Sequence, residues 1–113
     1  MSQITTHILD ISRGAPAAGV PVYFSTWSDG AWTTLGEGRT NSDGRVPDLL
    51  PSGDVLPEGR YCMRFDTAHY FEGLGEKPFY PWAEVVFEIP GDGQHYHIPL
   101  LLSAFGYSTY RGS

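Results

Sequence analysis

At 113 residues the chain has the length of one domain, and its 41% hydrophobic and 18% charged content is that of a folded protein lean in charge. Thirteen acidic residues against seven Lys and Arg give a net charge of −6 with the basic residues scattered, so no basic stripe exists for nucleic acid and an anionic membrane is a poor partner. Cys62 is the one cysteine and cannot close an intramolecular disulfide. No apolar run approaches the ~20 residues that span a bilayer, and the opening MSQITTHILD lacks the basic and apolar regions of a signal peptide. A cytoplasmic location is the default expectation, with a periplasmic or peroxisomal one left open.

Fourteen glycines, nine prolines and sixteen aromatic residues (seven Tyr, six Phe, three Trp) favour strands and turns over helices. Residues 4–10 alternate, with Ile4, Thr6 and Ile8 on one face and Thr5, His7 and Leu9 on the other. SRGAPAAG follows as a loop, then VPVYFSTW as a strand, a hairpin turn at Ser28-Asp29-Gly30, and a return strand over 31–40. The turn Asn41-Ser42-Asp43-Gly44 leads into a short strand at Arg45-Val46, and PDLLPSGDVLPEG is a long loop. Residues 59–65 form a strand. AHYFEGLG is the one helix expected, with Asp66 or Thr67 as its cap and glycine stops at Gly73 and Gly75.

Residues 83–89 alternate cleanly, with Ala83, Val85, Phe87 and Ile89 facing in, and strands over 96–103 and 107–110 complete the chain. This spacing predicts an all-β, two-sheet antiparallel sandwich in a single domain over 1–113. Pro99 cannot donate to a ladder, so its strand is expected at a sheet edge, or with that nitrogen turned away from a partner. The apolar run from Ile98 to Leu102 is a candidate subunit contact.

Histidine is the side chain best suited to moving protons near neutral pH. Of the four, His7 shares a strand face with Thr5 and Leu9, His95 and His97 share another, and His69 lies in the expected helix. A His-x-His pair could hold a metal, but the sequence supplies no third ligand at a diagnostic spacing. No strand–GxSxG–helix elbow is present, Cys62 reads as a buried inert thiol, and Glu84 and Glu88 read as a solvated strand face. Arg45, fixed directly after a turn, is suited to clamping a carbonyl or anion.

Three stretches resemble the landmarks of the transthyretin family. They are His7-Ile8-Leu9-Asp10 with Gly14-Ala15-Pro16-Ala17 and Val20-Pro21-Val22; Thr40-Asn41-Ser42-Asp43-Gly44-Arg45; and Tyr96-His97-Ile98-Pro99-Leu100-Leu101-Leu102-Ser103 with the ending Phe105-Gly106-Tyr107-Ser108-Thr109-Tyr110-Arg111-Gly112-Ser113. They run in order over essentially the whole chain, and the ending Tyr-Arg-Gly-Ser resembles the branch that hydrolyses 5-hydroxyisourate. Ala104 stands where that branch usually has proline. The resemblance implies a sandwich of about eight strands with one short helix, assembled as a homotetramer (a dimer of dimers). It implies ring opening of 5-hydroxyisourate to 2-oxo-4-hydroxy-4-carboxy-5-ureidoimidazoline in urate degradation to allantoin, with no metal or cofactor.

The family's catalytic positions fall on His7, Arg45, His97 and Ser113. In this reading one histidine is the base, Arg45 holds a carbonyl or oxyanion, and Ser113 orients water or a histidine through its hydroxyl or a terminal carboxylate. Tyr110, Arg111 and Gly112 are assigned to substrate binding, and His95 is left out. The hormone-carrier branch has lysine, glutamate and threonine where this chain has His7, Arg45 and His97. Two alternatives stand beside the enzyme: a transthyretin-like small-ligand-binding protein, and a structural or metal-binding sandwich using His95 and His97.

Overall fold

A computed structural model describes residues 2–113. Its elements in chain order are β1 (Ile4–Asp10), β2 (Ala15–Pro16), β3 (Pro21–Ser28), β4 (Ala31–Arg39), β5 (Gly59–Phe65), α1 (Thr67–Gly73), β6 (Ala83–Ile89), β7 (Tyr96–Ser103) and β8 (Gly106–Thr109). They form two four-stranded sheets, ordered β2-β1-β7-β8 and β4-β3-β5-β6. The expected two-sheet sandwich with one short helix is therefore what forms. Two short pieces differ from expectation. β2 lies inside the segment expected to be a loop, and Arg45 makes a single bridge to His7 in place of a strand with Val46.

Alternation decides which residues meet between the sheets. On β1 Ile4, Thr6, Ile8 and Asp10 are buried while Thr5, His7 and Leu9 are half-buried on the outer face. Ile8, Ile98, Leu100 and Leu102 of the first sheet share one core with Val22, Phe24, Tyr61, Met63, Phe65 and Ile89 of the second. Phe24 and Tyr61 stack there with ring centroids 5.5 Å apart. The hairpin between β3 and β4 turns at Asp29 (φ 53) and Gly30 (φ 78), the two left-handed residues that a two-residue hairpin requires. Cys62 is buried, and that burial pushes its thiol up to about 11, which fits an inert side chain.

One pairing is not antiparallel. β1 runs parallel to β7 with Thr5 opposite His97 and His7 opposite Pro99, joining the two ends of the sequence at the centre of the first sheet. The expectation of an edge position for the Pro99 strand is thereby corrected, since β7 lies between β1 and β8. The other half of that expectation explains how proline is tolerated. The carbonyls of His97 and Pro99 point to the β8 side, accepting from Gly112 N (2.8 Å) and Thr109 Oγ1 (2.7 Å). The Pro99 nitrogen points the same way, past the last pairing of β8 at Leu100–Thr109. The chain leaves the ladder where β7 has no donor to offer and returns at Gly112.

The far end of β1 is tied to the helix. Asp10 is fully buried and its Oδ1 accepts from Ser12 N (3.1 Å), Ser12 Oγ (2.6 Å) and Arg13 N (3.2 Å). Its Oδ2 accepts from Arg13 Nη1 (2.8 Å) and from the Tyr70 hydroxyl on α1 (2.7 Å). Arg13 continues to Glu76. Burial alone pushes the Asp10 carboxyl up, but the bonds from Ser12, Tyr70 and Arg13 outweigh it and hold the group down to about 2.

Candidate active site

Two features place Arg45 beside β1. The Asn41 side chain accepts from Asp43 N (2.9 Å) and Arg45 N (3.1 Å), closing the turn on itself. Gly44, at φ +76, donates its N–H back to Asn41 O (2.9 Å) and accepts from Ile8 N (2.8 Å). A Cβ on Gly44 would overlap the Ile8 carbonyl oxygen, so only glycine lets the turn seat on the strand. Arg45 then bridges His7. An Asn-Ser-Asp-Gly turn is thus a device for delivering one arginine to one histidine-bearing strand.

The parallel register delivers the rest. Thr5 lies opposite His97, and its Oγ1 is 2.8 Å from His97 Nδ1 and 2.9 Å from His95 Nε2. The imidazoles of His95 and His97 lie nearly parallel, with centroids 6.5 Å apart and planes at 17°. Arg45, His95, His97, Thr5 and Ser113 line one open cleft of about 610 Å³ together with Asn41 and Asp48. His7 lies beside this cleft through its bridge to Arg45. No protein group among the described residues hydrogen-bonds His97 Nε2, so that nitrogen is the one available to water or a ligand. Desolvation lowers the pKa of His97 from 6.5, and the positive charge of Arg45 and the proximity of His95 and His7 lower it further. The result is an imidazole whose neutral form is favoured, in a cleft that carries a fixed cation.

The segment 110–113 divides around His97. Gly112 donates to the His97 carbonyl, and Ser113 enters the cleft. Tyr110 and Arg111 face away, into a second groove of about 360 Å³ lined also by Val85, Phe87 and Tyr96. There the Arg111 guanidinium lies 4.7 Å over the Tyr96 ring. Of the residues singled out in the sequence, the structure brings His7, Arg45, His97 and Ser113 together and sets Tyr110 and Arg111 on the other side of His97. Gly112 is in direct contact with the histidine: a Cβ there would stand 2.6 Å from His97 Cδ2. Replacing Gly112 by alanine is expected to displace the imidazole and lower activity by about 10²-fold, the cost of a 1 Å misplacement, with little change in unfolding midpoint. Unchanged turnover would show that the ring does not need this seat.

Sequence reasoning passed over Thr5 and His95. The signal for Thr5 was its shared face with His7, but the partner strand is about ninety residues away and nothing local announces it. Among the described residues no three His, Cys, Asp or Glu side chains converge to hold a metal ion. His95 and His97 turn Nε2 and Nδ1 onto one hydroxyl rather than onto a common point suited to a cation.

The sequence profile of the HIUase/Transthyretin family matches residues 4–112. The uric acid degradation bifunctional protein of Arabidopsis thaliana is 43% identical over 97% of this chain, which spans only 37% of that longer protein. The 5-hydroxyisourate hydrolase of Salmonella dublin is 46% identical over 97% of this chain and 80% of its own length. Among solved structures, sea bream transthyretin in complex with thyroxine superposes with a TM-score of 0.91 at 36% identity, covering 98% and 95% of the two chains. Klebsiella pneumoniae 5-hydroxyisourate hydrolase superposes at 0.84 with 41% identity, covering 97% and 98%. The fold is shared by a thyroxine-bound transthyretin and a 5-hydroxyisourate hydrolase alike, so chemistry at the cleft must separate the two readings.

Proposed function

The chain belongs to the HIUase/transthyretin family, and from that premise we propose that it is a hydrolase of 5-hydroxyisourate, opening the ring to 2-oxo-4-hydroxy-4-carboxy-5-ureidoimidazoline. The observation that carries this reading is the meeting of a desolvated His97 with Arg45 in one cleft. A carrier of an apolar ligand has no use for a neutral base beside a cation. Near-full-length similarity to hydroxyisourate hydrolases supports the same reading.

The chemistry follows from the groups present. Water adds to a ring carbonyl of the substrate while His97 Nε2 takes its proton. The negative charge that develops on the carbonyl oxygen is stabilised by the Arg45 guanidinium. Collapse of the adduct breaks the ring C–N bond, and the proton on His97 passes to the departing nitrogen, leaving a carboxylic acid that releases its remaining proton to solvent as the carboxylate product. His7 supports this arrangement beside Arg45, and Ser113 orients the attacking water. Tyr110 and Arg111 hold the segment that carries Gly112 and Ser113, with Arg111 anchored on Tyr96.

The test is direct: the absorbance of freshly made 5-hydroxyisourate decays faster with the protein than without it, and equal decay refutes the activity. Because His97 must be neutral to act, kcat/KM is expected to rise between about pH 5 and pH 7. A profile that falls over that range would exclude a histidine base.

We further infer a homotetramer built as a dimer of dimers. The cleft is open on the outer face of the first sheet, where His7, Leu9, His97 and Leu101 are only half-buried, and an apposed copy would close it and exclude bulk water. Sedimentation at assay concentration tests this, since a fully active monomer or dimer would refute it.

A further inference from the structure

Thr5 has one hydroxyl proton and two ring nitrogens in hydrogen-bonding range, His97 Nδ1 at 2.8 Å and His95 Nε2 at 2.9 Å. With both rings neutral, two arrangements satisfy both contacts. In the first, His97 Nδ1–H donates to Thr5, Thr5 donates to His95 Nε2, and His97 presents a bare Nε2 to the cleft. In the second, His95 Nε2–H donates to Thr5, Thr5 donates to His97 Nδ1, and His97 presents Nε2–H. Only the first is a base. Arg45 and His97 line the same cleft, and a guanidinium favours a lone pair turned toward it over an N–H. A protonated His95 can only donate, which sends the Thr5 proton onto His97 Nδ1 and selects the second arrangement.

We propose that Thr5 and His95 are positioning residues that set the tautomer of His97, with protonation of the exposed His95 reversing the Thr5 hydrogen bond and removing the basic nitrogen from the cleft. The inference rests on the hydrolase reading for its kinetic arm, but not for its structural one. The charged and titratable groups around the pair are Arg45 and Asp48 from the loop after β4, His7 on β1, and Asp54, which shares a neighbouring groove with His95. His95 is exposed and His97 half-buried, so His95 is the ring of the pair that solvent reaches directly.

The structural arm is imidazole nitrogen NMR on the full-length protein. In the wild type above neutral pH, His97 should be protonated on Nδ1 and bare on Nε2. Thr5→Val, which keeps the shape and removes the hydroxyl, should shift His97 toward the Nε2–H form, and Thr5→Ser should restore the wild-type pattern. His97 found as Nε2–H in the wild type, or a tautomer unmoved in Thr5→Val, overturns the proposal. A Thr5→Val variant that does not fold transfers the decision to the wild-type spectrum and Thr5→Ser.

The kinetic arm uses 5-hydroxyisourate. Thr5→Val should lower kcat by about ten-fold or more with KM little changed, and Thr5→Ser should recover it. In His95→Gln the acid limb of kcat/KM should move to lower pH, to the midpoint of His97 alone. If His95 merely repelled a proton on His97, removing it would raise that midpoint, so a limb that rises or stays put overturns the switch. Absence of turnover in the wild type refutes the hydrolase reading, and the NMR arm then still decides the tautomer.

Discussion

Replacing His97 by asparagine is expected to lower kcat for 5-hydroxyisourate by at least about 10²–10⁴-fold, the contribution of one acid–base group. That loss corresponds to about 3–5 kcal/mol of barrier. Asparagine is the informative choice because its amide reaches the position of Nδ1 and can still bond Thr5, while nothing takes the place of Nε2. The fold should tolerate the change. The backbone of residue 97 keeps its pairing to Thr5 and its carbonyl keeps Gly112 N, and the side chain is only half-buried. Circular dichroism and sedimentation matching the wild type, together with the kinetic loss, would assign the defect to chemistry. Turnover near the wild type would end the assignment of His97 as the base.

The same assay on His7→Ala separates two histidines that the sequence treats alike. His7 does not line the cleft directly; it bridges Arg45. A loss of at least about 10²-fold is expected, arising through the position of Arg45 and the field at His97. Arg45→Lys should also be costly despite retaining charge, because an ammonium cannot offer paired N–H donors to a carbonyl oxygen.

Much of the fold was legible because local patterns and final burial agree. The strands at Gly59–Phe65, Ala83–Ile89 and Tyr96–Ser103 have the expected bounds, since alternation and flanking turn residues act over a few positions. The turn carrying Arg45 was legible for the same reason. Pairing was not. The parallel contact of β1 with β7 joins residues about ninety positions apart, and periodicity within either strand is the same for a parallel or antiparallel neighbour. That one unread fact hid the site around Thr5, left open whether the Pro99 strand lies at an edge or turns its nitrogen from a partner, and kept His95 out of the site. In the sheet His95 and His97 differ sharply: His97 is in contact with Gly112 and bonds Thr5 through Nδ1, whereas His95 stands exposed and reaches Thr5 through Nε2. The candidate site residues themselves came from family landmarks, and geometry then sorted them to two sides of His97.

Asp10 was legible only as part of a landmark, with no role attached, yet its replacement is expected to have the largest effect on stability. Its carboxyl lies at about 2 against an ordinary 3.8, and a displacement of that size corresponds to about 2 kcal/mol of folding free energy carried by the ionised form. Because the folded pKa is depressed, this stabilisation is complete above the unfolded value near 3.8 and drains away as pH falls toward 2. Asp10→Asn should therefore lower the urea unfolding free energy at pH 7 by at least about 2 kcal/mol, and the difference from the wild type should shrink as pH falls through that window. Asp10→Ala should cost more, about 3–5 kcal/mol, since it also strands the Tyr70 hydroxyl and the Ser12 and Arg13 amides. A constant difference at every pH would show that shape, not charge, is what Asp10 contributes. Neither variant should change kcat per folded molecule. Asp10 lies three residues beyond His7, and the β1–β7 register that seats Thr5 against His97 is built from backbone pairs that do not involve its side chain. A kinetic loss of the size expected for His97 would mean instead that the tie between β1 and α1 tunes the cleft itself.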